Sequence, residues 1–353
     1  MQPRIAIIGA GAVGGYLGAH LAAAGQDVTL IDPWPAHVEA MRAQGLTVTH
    51  LRDVPPLNTP VRALHICDVQ ALSRERPIDI AFICVKSYDT AWAAALIRPY
   101  LAPAGFAVSL QNGINEDRLA EILGWGRVVG AIASSITVEL TGPGRVHRNA
   151  GKASADHVVF RVGEVHGRVT ERVRQVAALC ALADRSTTTT NLWGERWTKL
   201  VVNAMGNGLS ACTGLRTGEI QQDPELRAFA ARVGAEAIRV GQALGFALEE
   251  VLHMDPELIA RAGEGDPEAR AEYDRRRLAE AKARGGAHRP SMGQDIIKGR
   301  RTEIADLNGV VVERAAALGI PTPANAALIR IVQAVERGEI APDPAHIKAL
   351  RLN

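Results

Sequence analysis

The stretch RIAIIGAGAVGGYLGAHLAAAGQDVTLID, residues 4–32, restricts the fold of this chain more than any other. A mostly β-branched run, Ile5 to Ile8, breaks into Gly9-Ala10-Gly11-Ala12-Val13-Gly14, and a helix of small residues follows. In a G-x-G-x-x-G turn of this kind the first glycine permits the tight bend. The second lets the backbone approach a pyrophosphate, and the third lets the helix lie close on the strand. The helix N-terminus adds free N–H groups and the positive end of its dipole. With the next strand at βαβ spacing, the pattern specifies a dinucleotide site formed by Gly9, Gly11, Ala12, Val13 and Gly14. Asp32 ends that second strand, eighteen residues after Gly14. A carboxylate there accepts hydrogen bonds from ribose hydroxyls and repels a 2′-phosphate. Residues 33–37, PWPAH, supply no permanent cation before Arg42, so the residues favour NAD(H) over NADP(H).

The remaining strands and helices follow from periodicity. Ile80–Val85, Ala107–Leu110 and Val128–Ala133 read as buried strands, alternating with helical stretches at Tyr16–Ala24, His37–Ala43 and Asp89–Ile97. Strands alternating with helices imply a doubly wound, Rossmann-like parallel sheet. GRVHR and HVVFRVGEV are predicted to extend that sheet, and a helix over 168–182 to close the domain. From Asn191 onward the pattern is helical, and several helices end on glycine. The expected organisation is a dinucleotide-binding domain over 1–190 and an all-α substrate and catalytic domain over 191–353. Residues 255–289, dense in charge, read as a solvated helical insertion, with a mobile lid as the alternative.

Composition excludes several classes. At 353 residues with 47% apolar and 22% charged residues, the chain has the make-up of a globular protein with two cores. A net charge of +2 gives no reason to expect nucleic acid or an anionic membrane as partner. No apolar run is long enough to span a bilayer, and the N-terminus lacks a secretory layout, so the cytoplasm is the expected compartment. Cys67, Cys84, Cys180 and Cys212 are scattered and read as buried free thiols, with no metal site. The oligomeric state is left open, a homodimer among the alternatives.

Candidate chemistry sits in four places. Lys86 in CVKSYDT and Asn112 in LQNGIN follow buried strands, where a doubly wound sheet binds its ligand. In WTKLVVNAMGNGLSACTG, Lys199, Asn203 and Asn207 fall at i, i+4 and i+8 and share one helical face. Leu200, Val201 and Val202 surround the lysine with apolar groups, which lowers an ammonium pKa toward neutrality and suits it to proton transfer. In RPSMGQDIIKGRRTEIADLNG, Ser291 stands at a helix start, Asp295 one turn later and Glu303 in mid-helix.

The glycine turn, CVKS, QNG, WTKLVVNAMGN and SMGQDIIKGRRTEIADLNG, in this order, resemble the ketopantoate reductase family, also called 2-dehydropantoate 2-reductases. The resemblance spans the chain apart from 255–289. It implies an NAD(P)-dependent oxidoreductase acting on a CH–OH group, with a place in pantothenate biosynthesis. Lys199 would be the general acid, with Glu303 holding it and the substrate. Asn203 and Asn207 would bind substrate oxygens, Ser291 the substrate carboxylate, and Lys86 and Asn112 would line the cofactor cleft. Three positions depart from the family pattern. Its members usually carry a basic residue where Asp32 stands, and use NADPH. An asparagine before a Gly-Glu pair is replaced by Thr217, and another, three residues before the serine, by His288. The expectation is therefore a 2-keto acid/2-hydroxy acid oxidoreductase with ketopantoate as first candidate. Its alternatives are an NAD-dependent D-2-hydroxyacid dehydrogenase for a bulkier acid, and a non-catalytic dinucleotide sensor.

Overall fold

The computed structural model describes the chain apart from residues 1, 52–53, 135, 150–156, 285–287 and 352–353. It divides into two compact units, Met1–Leu192 and Trp193–Asn353. The first unit runs β1 (Arg4–Ile8), α1 (Ala12–Ala23), β2 (Asp27–Asp32), α2 (Pro35–Gln44), β3 (Leu46–His50), β4 (Leu57–Thr59), β5 (Arg62–His65) and β6 (Ile78–Ile83). It continues through α3 (Thr90–Ile97), β7 (Leu101–Ser109), α4 (Glu116–Leu123), β8 (Val128–Ala133), β9 (Val138–Gly142), β10 (Arg145–Arg148), β11 (Phe160–Glu164), α5 (Glu171–Ala181) and β12 (Ser186–Thr189).

Among the described residues, eight strands form one sheet in the order β12-β11-β8-β7-β6-β1-β2-β5, parallel throughout except where β11 meets β8. Alternation along β1 explains why it is apolar at every position: Ile5 and Ile7 enter one core, Ala6 and Ile8 the other, so both faces are covered. The register sets the C-terminal ends level. Ile8 pairs with Ile31 of β2 and Ile83 of β6, and Ile83 pairs with Ser109 of β7. The loops beginning at Gly9, Pro33, Cys84 and Leu110 thus leave from one edge.

Two strand assignments differ from the sequence reading. RVHR does not extend the main sheet. As β10 it pairs parallel with β3 and antiparallel with β9, in a second sheet ordered β4-β3-β10-β9. Ser186–Thr189, to which the sequence reading gave no element, is edge strand β12, as suits its β-branched threonines. The second sheet is held through Arg148, whose buried guanidinium bonds Asp184 and the Tyr16 hydroxyl and lies 5.3 Å from the Tyr16 ring centroid. The buried-thiol reading also needs correction: Cys67 is exposed. Burial pushes the Cys180 and Cys212 thiols up to about 12.

The second unit is helical: α6 (Leu192–Thr213), α7 (Thr217–Gln222), α8 (Pro224–Ala243), α9 (Pro256–Glu264), α10 (Pro267–Arg284), α11 (Ser291–Ile297), α12 (Asn308–Leu318), α13 (Pro323–Glu336) and α14 (Ala345–Lys348). Helix α6 lies against α8 because Gly241 makes room for the Trp197 indole, where a Cβ would stand 2.4 Å from the ring. The indole N–H donates to the Ala237 carbonyl at 2.8 Å. The charged segment is two helices with one packed face each, rather than a wholly solvated insertion. Ile259, Ala260, Ala262, Ala269 and Tyr273 are buried. At Gly263 a Cβ would come within 2.3 Å of the Ala231 carbonyl of α8. Arg227 pairs with Asp274 at 2.9 Å, while Glu272, Arg275 and Arg276 form the exposed face. Residues 285–287 of that segment lie outside the described residues. No helix among the described residues is long and apolar enough to cross a membrane.

The Arg148–Asp184 pair yields a stability prediction. Asp184→Ala strands a buried guanidinium and lowers unfolding free energy by about 3–5 kcal/mol in urea titration. Replacing both partners by apolar residues of similar volume recovers most of that loss.

Candidate active site

The first unit gathers the predicted cofactor residues along one sheet edge. Gly9 has φ of 93°, and a Cβ on it would lie 2.8 Å from the Val85 nitrogen, so the glycine turn rests directly on the end of β6. A Cβ on Gly14 would lie 2.1 Å from the Gly9 carbonyl oxygen. Gly11 is the opposite case, with open space where its side chain would be. That cradle, at the N-terminus of α1, fits a dinucleotide pyrophosphate. Lys86 and Asn112 lie on the two adjoining loops, which are latched together. Ser87 Oγ donates to the Asn112 carbonyl at 2.8 Å and Asn115 Nδ2 donates to it at 2.7 Å. Gln111 Nε2 donates to the Val85 carbonyl at 2.9 Å.

Asp32 is buried, and each carboxylate oxygen takes one backbone amide: Ala10 N–H to Oδ2 and Trp34 N–H to Oδ1, both at 2.9 Å. Burial raises its pKa, opposed by those two backbone bonds. Each oxygen keeps a second lone pair for a ligand hydroxyl. Arg42, the nearest downstream cation in the sequence, is committed elsewhere. Its guanidinium donates to the Ala63 carbonyl at 3.0 Å, to Glu39 at 2.9 Å and to Asp68 at 2.7 Å.

In the second unit, α6 carries the polar stripe. Lys199 is half-buried. Burial, reinforced by the Arg196 charge and opposed by Glu303, lowers its pKa to about 7. Asn207 is buried, and Asn203 Nδ2 is buried without a hydrogen-bond partner, which is costly unless a ligand supplies an acceptor. Between them Gly206 faces open space. Ser291 begins α11, which docks on the far end of the stripe. A Cβ on Gly293 would meet Ser210 Oγ at 2.4 Å, so glycine is needed there.

The structure corrects the setting of Glu303. The helix expected through this stretch stops at Ile297, Gly299 turns with φ of 61°, and buried Glu303 precedes a single 3₁₀ turn, Ile304–Asp306. Glu303 thus acts on Lys199 from a loop rather than from a helix flank. Thr217 and His288, distant in sequence, meet: the Thr217 N–H donates to the His288 carbonyl at 3.0 Å. Sequence reasoning overlooked Arg196, one helical turn before Lys199 and 2% exposed. A charged residue one turn from the stripe was the available signal. His37 was also overlooked, and only its contacts reveal it.

Residues 5–156 match the family described as Ketopantoate reductase PanE/ApbA, and residues 191–336 match Ketopantoate reductase PanE/ApbA C terminal. The chain belongs to the ketopantoate reductase family. Within that family, the 2-dehydropantoate 2-reductase of Archaeoglobus fulgidus is 29% identical over 343 residues, covering 95% of this chain and 98% of the relative. The crystal structure of a PanE/ApbA family ketopantoate reductase from Ralstonia eutropha is 33% identical, with a TM-score of 0.75 over 95% of this chain and 99% of that one. The fold is shared as well with D-mandelate dehydrogenase in its ternary structure with NADH and anilino(oxo)acetate. That protein is 23% identical with a TM-score of 0.77, over 95% of this chain and 99% of that one.

The charges around Lys199 give a titration with known signs. NMR of labelled lysine is expected to give Lys199 a titration midpoint near pH 7, and a midpoint near that of a free lysine would refute the assignment. Glu303→Gln removes the group that favours the ammonium and moves the midpoint down, whereas Arg196→Leu moves it up.

Proposed function

We propose that this protein reduces a 2-keto acid to the 2-hydroxy acid with NADH, ketopantoate being the first candidate substrate. The observation that carries the reading is the partly desolvated Lys199 ammonium, whose charge buried Glu303 supports, on a helix face that also presents the unpartnered Asn203 Nδ2. The glycine-turn unit holds the dinucleotide through Gly9, Gly11, Ala12, Val13, Gly14, Asp32, Lys86 and Asn112. The helical unit receives the acid, with Asn203 and Asn207 on its oxygens and Ser291 on its carboxylate.

When bound, the reduced nicotinamide supplies the hydride. As the new C–H bond forms, the carbonyl π electrons move to oxygen, and Lys199 stabilises that charge and then donates its proton to it. Glu303 keeps the lysine charged enough to act. A pKa near neutrality makes proton transfer to the alkoxide favourable without leaving Lys199 wholly deprotonated at working pH. Retention of this pair argues against a non-catalytic sensor.

Two observations refine the cofactor and the substrate. Asp32 and the committed Arg42 leave a 2′-phosphate facing a carboxylate, which supports NADH over NADPH. The backbone contact between Thr217 and His288 brings two of the three departures from the family pattern together, which favours, as second reading, a D-2-hydroxyacid dehydrogenase for a bulkier acid.

A keto-acid panel run with both cofactors tests these points. NADH is expected to give kcat/KM at least about tenfold above NADPH, and equal or better performance by NADPH defeats the Asp32 argument. Because Lys199 must carry its proton, reduction holds steady below pH 7 and falls about tenfold per unit well above it. Lys199→Ala is expected to lower kcat by about a hundredfold or more, and unchanged NADH oxidation across the panel would remove the catalytic assignment.

A further inference from the structure

Ala10, the middle residue of the G-x-G turn, is held from behind at both of its peptide links. Its N–H donates to Asp32 Oδ2, and its carbonyl lies 2.9 Å from Nε2 of His37. The other ring nitrogen, Nδ1, accepts the N–H of Gly144 at 2.8 Å, in the turn between β9 and β10. His37 is fully buried and stacks on Trp34, with centroids 5.7 Å apart and planes 19° from parallel. A carbonyl at one nitrogen and an amide N–H at the other permit a single form, the neutral imidazole with its hydrogen on Nε2.

This arrangement acts on the next residue. The Ala10 carbonyl and the Gly11 N–H belong to one trans peptide and point in opposite directions. Drawing the carbonyl inward to His37 therefore turns the Gly11 N–H outward. It emerges from the residue whose side-chain direction is open space. An N–H so placed at a helix N-terminus is a donor for a phosphate oxygen.

We propose that His37 is a positioning residue for dinucleotide binding. It fixes the Ala10–Gly11 peptide so that the Gly11 N–H meets the pyrophosphate, and Gly144 of the second sheet fixes His37 in turn. The inference rests on the reading that the glycine turn binds a dinucleotide, and it gives the second sheet a part in that binding.

ADP-ribose, which carries the pyrophosphate without the nicotinamide, is the probe. His37→Phe keeps the flat ring and removes both hydrogen bonds. It is expected to raise the ADP-ribose Kd and the NADH KM about tenfold, while kcat at saturating NADH and the keto-acid KM stay within about twofold. His37→Gln offers an N–H and a carbonyl at a spacing similar to that of the two ring nitrogens. It is expected to return the Kd to within about threefold of wild type. An unchanged ADP-ribose Kd in His37→Phe, with normal binding by wild type, overturns the inference and leaves the NADH reading standing. Absence of ADP-ribose, NADH and NADPH binding in wild type overturns both. Nitrogen NMR of the unaltered protein tests the same point without a variant. The expected result is an Nε2–H tautomer whose ring signals move when ADP-ribose is added; an Nδ1–H tautomer or unmoved signals overturn the proposal.

Discussion

The first unit depends on how closely α1 approaches β1 and β6. With a Cβ on Gly14, the helix would press within 2.1 Å of the Gly9 carbonyl oxygen, and with one on Gly9 the turn would strike the end of β6. Any larger residue at either position has to push the helix off the sheet. From that contact the rest follows. Helix α1 starts where Gly11 leaves space, and Tyr16, one turn along, meets the Arg148–Asp184 pair that anchors the second sheet. Val146 of that sheet packs back on Gly15. Steric proximity, not a large binding energy, shapes the cradle.

The second unit is organised around a charge that its surroundings disfavour. Burying an ammonium beside Arg196 works against folding with the proton on, and only Glu303 among the named charges opposes that. A lysine poised near neutrality gives up its proton readily, as the proposed reduction requires. The same region leaves Asn203 Nδ2 buried with nothing to bond. Both features are unfavourable for an inert helix bundle and fit the proposal that a polar, anionic ligand binds there.

Much of this was legible in the chain. The glycine turn, the alternation of strands and helices, Asp32 and the i, i+4, i+8 stripe of α6 are local patterns, and each appears in the structure at its expected residues. Other elements were not legible, for a common reason. RVHR reads as a strand, but nothing local says that it pairs with β3, because its partners Thr47–His50 lie far back in the chain. The TEIADL stretch has helical spacing, but Gly299 turns the chain and Thr302 is tied to Glu336 of α13, which opens the helix there. The charged face of 255–289 dominates its composition and hides the small residues that pack against α8.

The sequence by itself determined the fold class, the place of the glycine turn and the helix that bears the lysine, since each is written in spacing along a few consecutive turns of chain. Only the tertiary structure decided that Glu303 acts from a loop, that Arg196 shares the lysine's surroundings and that Thr217 meets His288. It also decided that His37 holds the Ala10 carbonyl while Gly144 holds His37. These are contacts between residues far apart in the chain. They exist because packing brings the partners together and burial then obliges each polar group to find a bond.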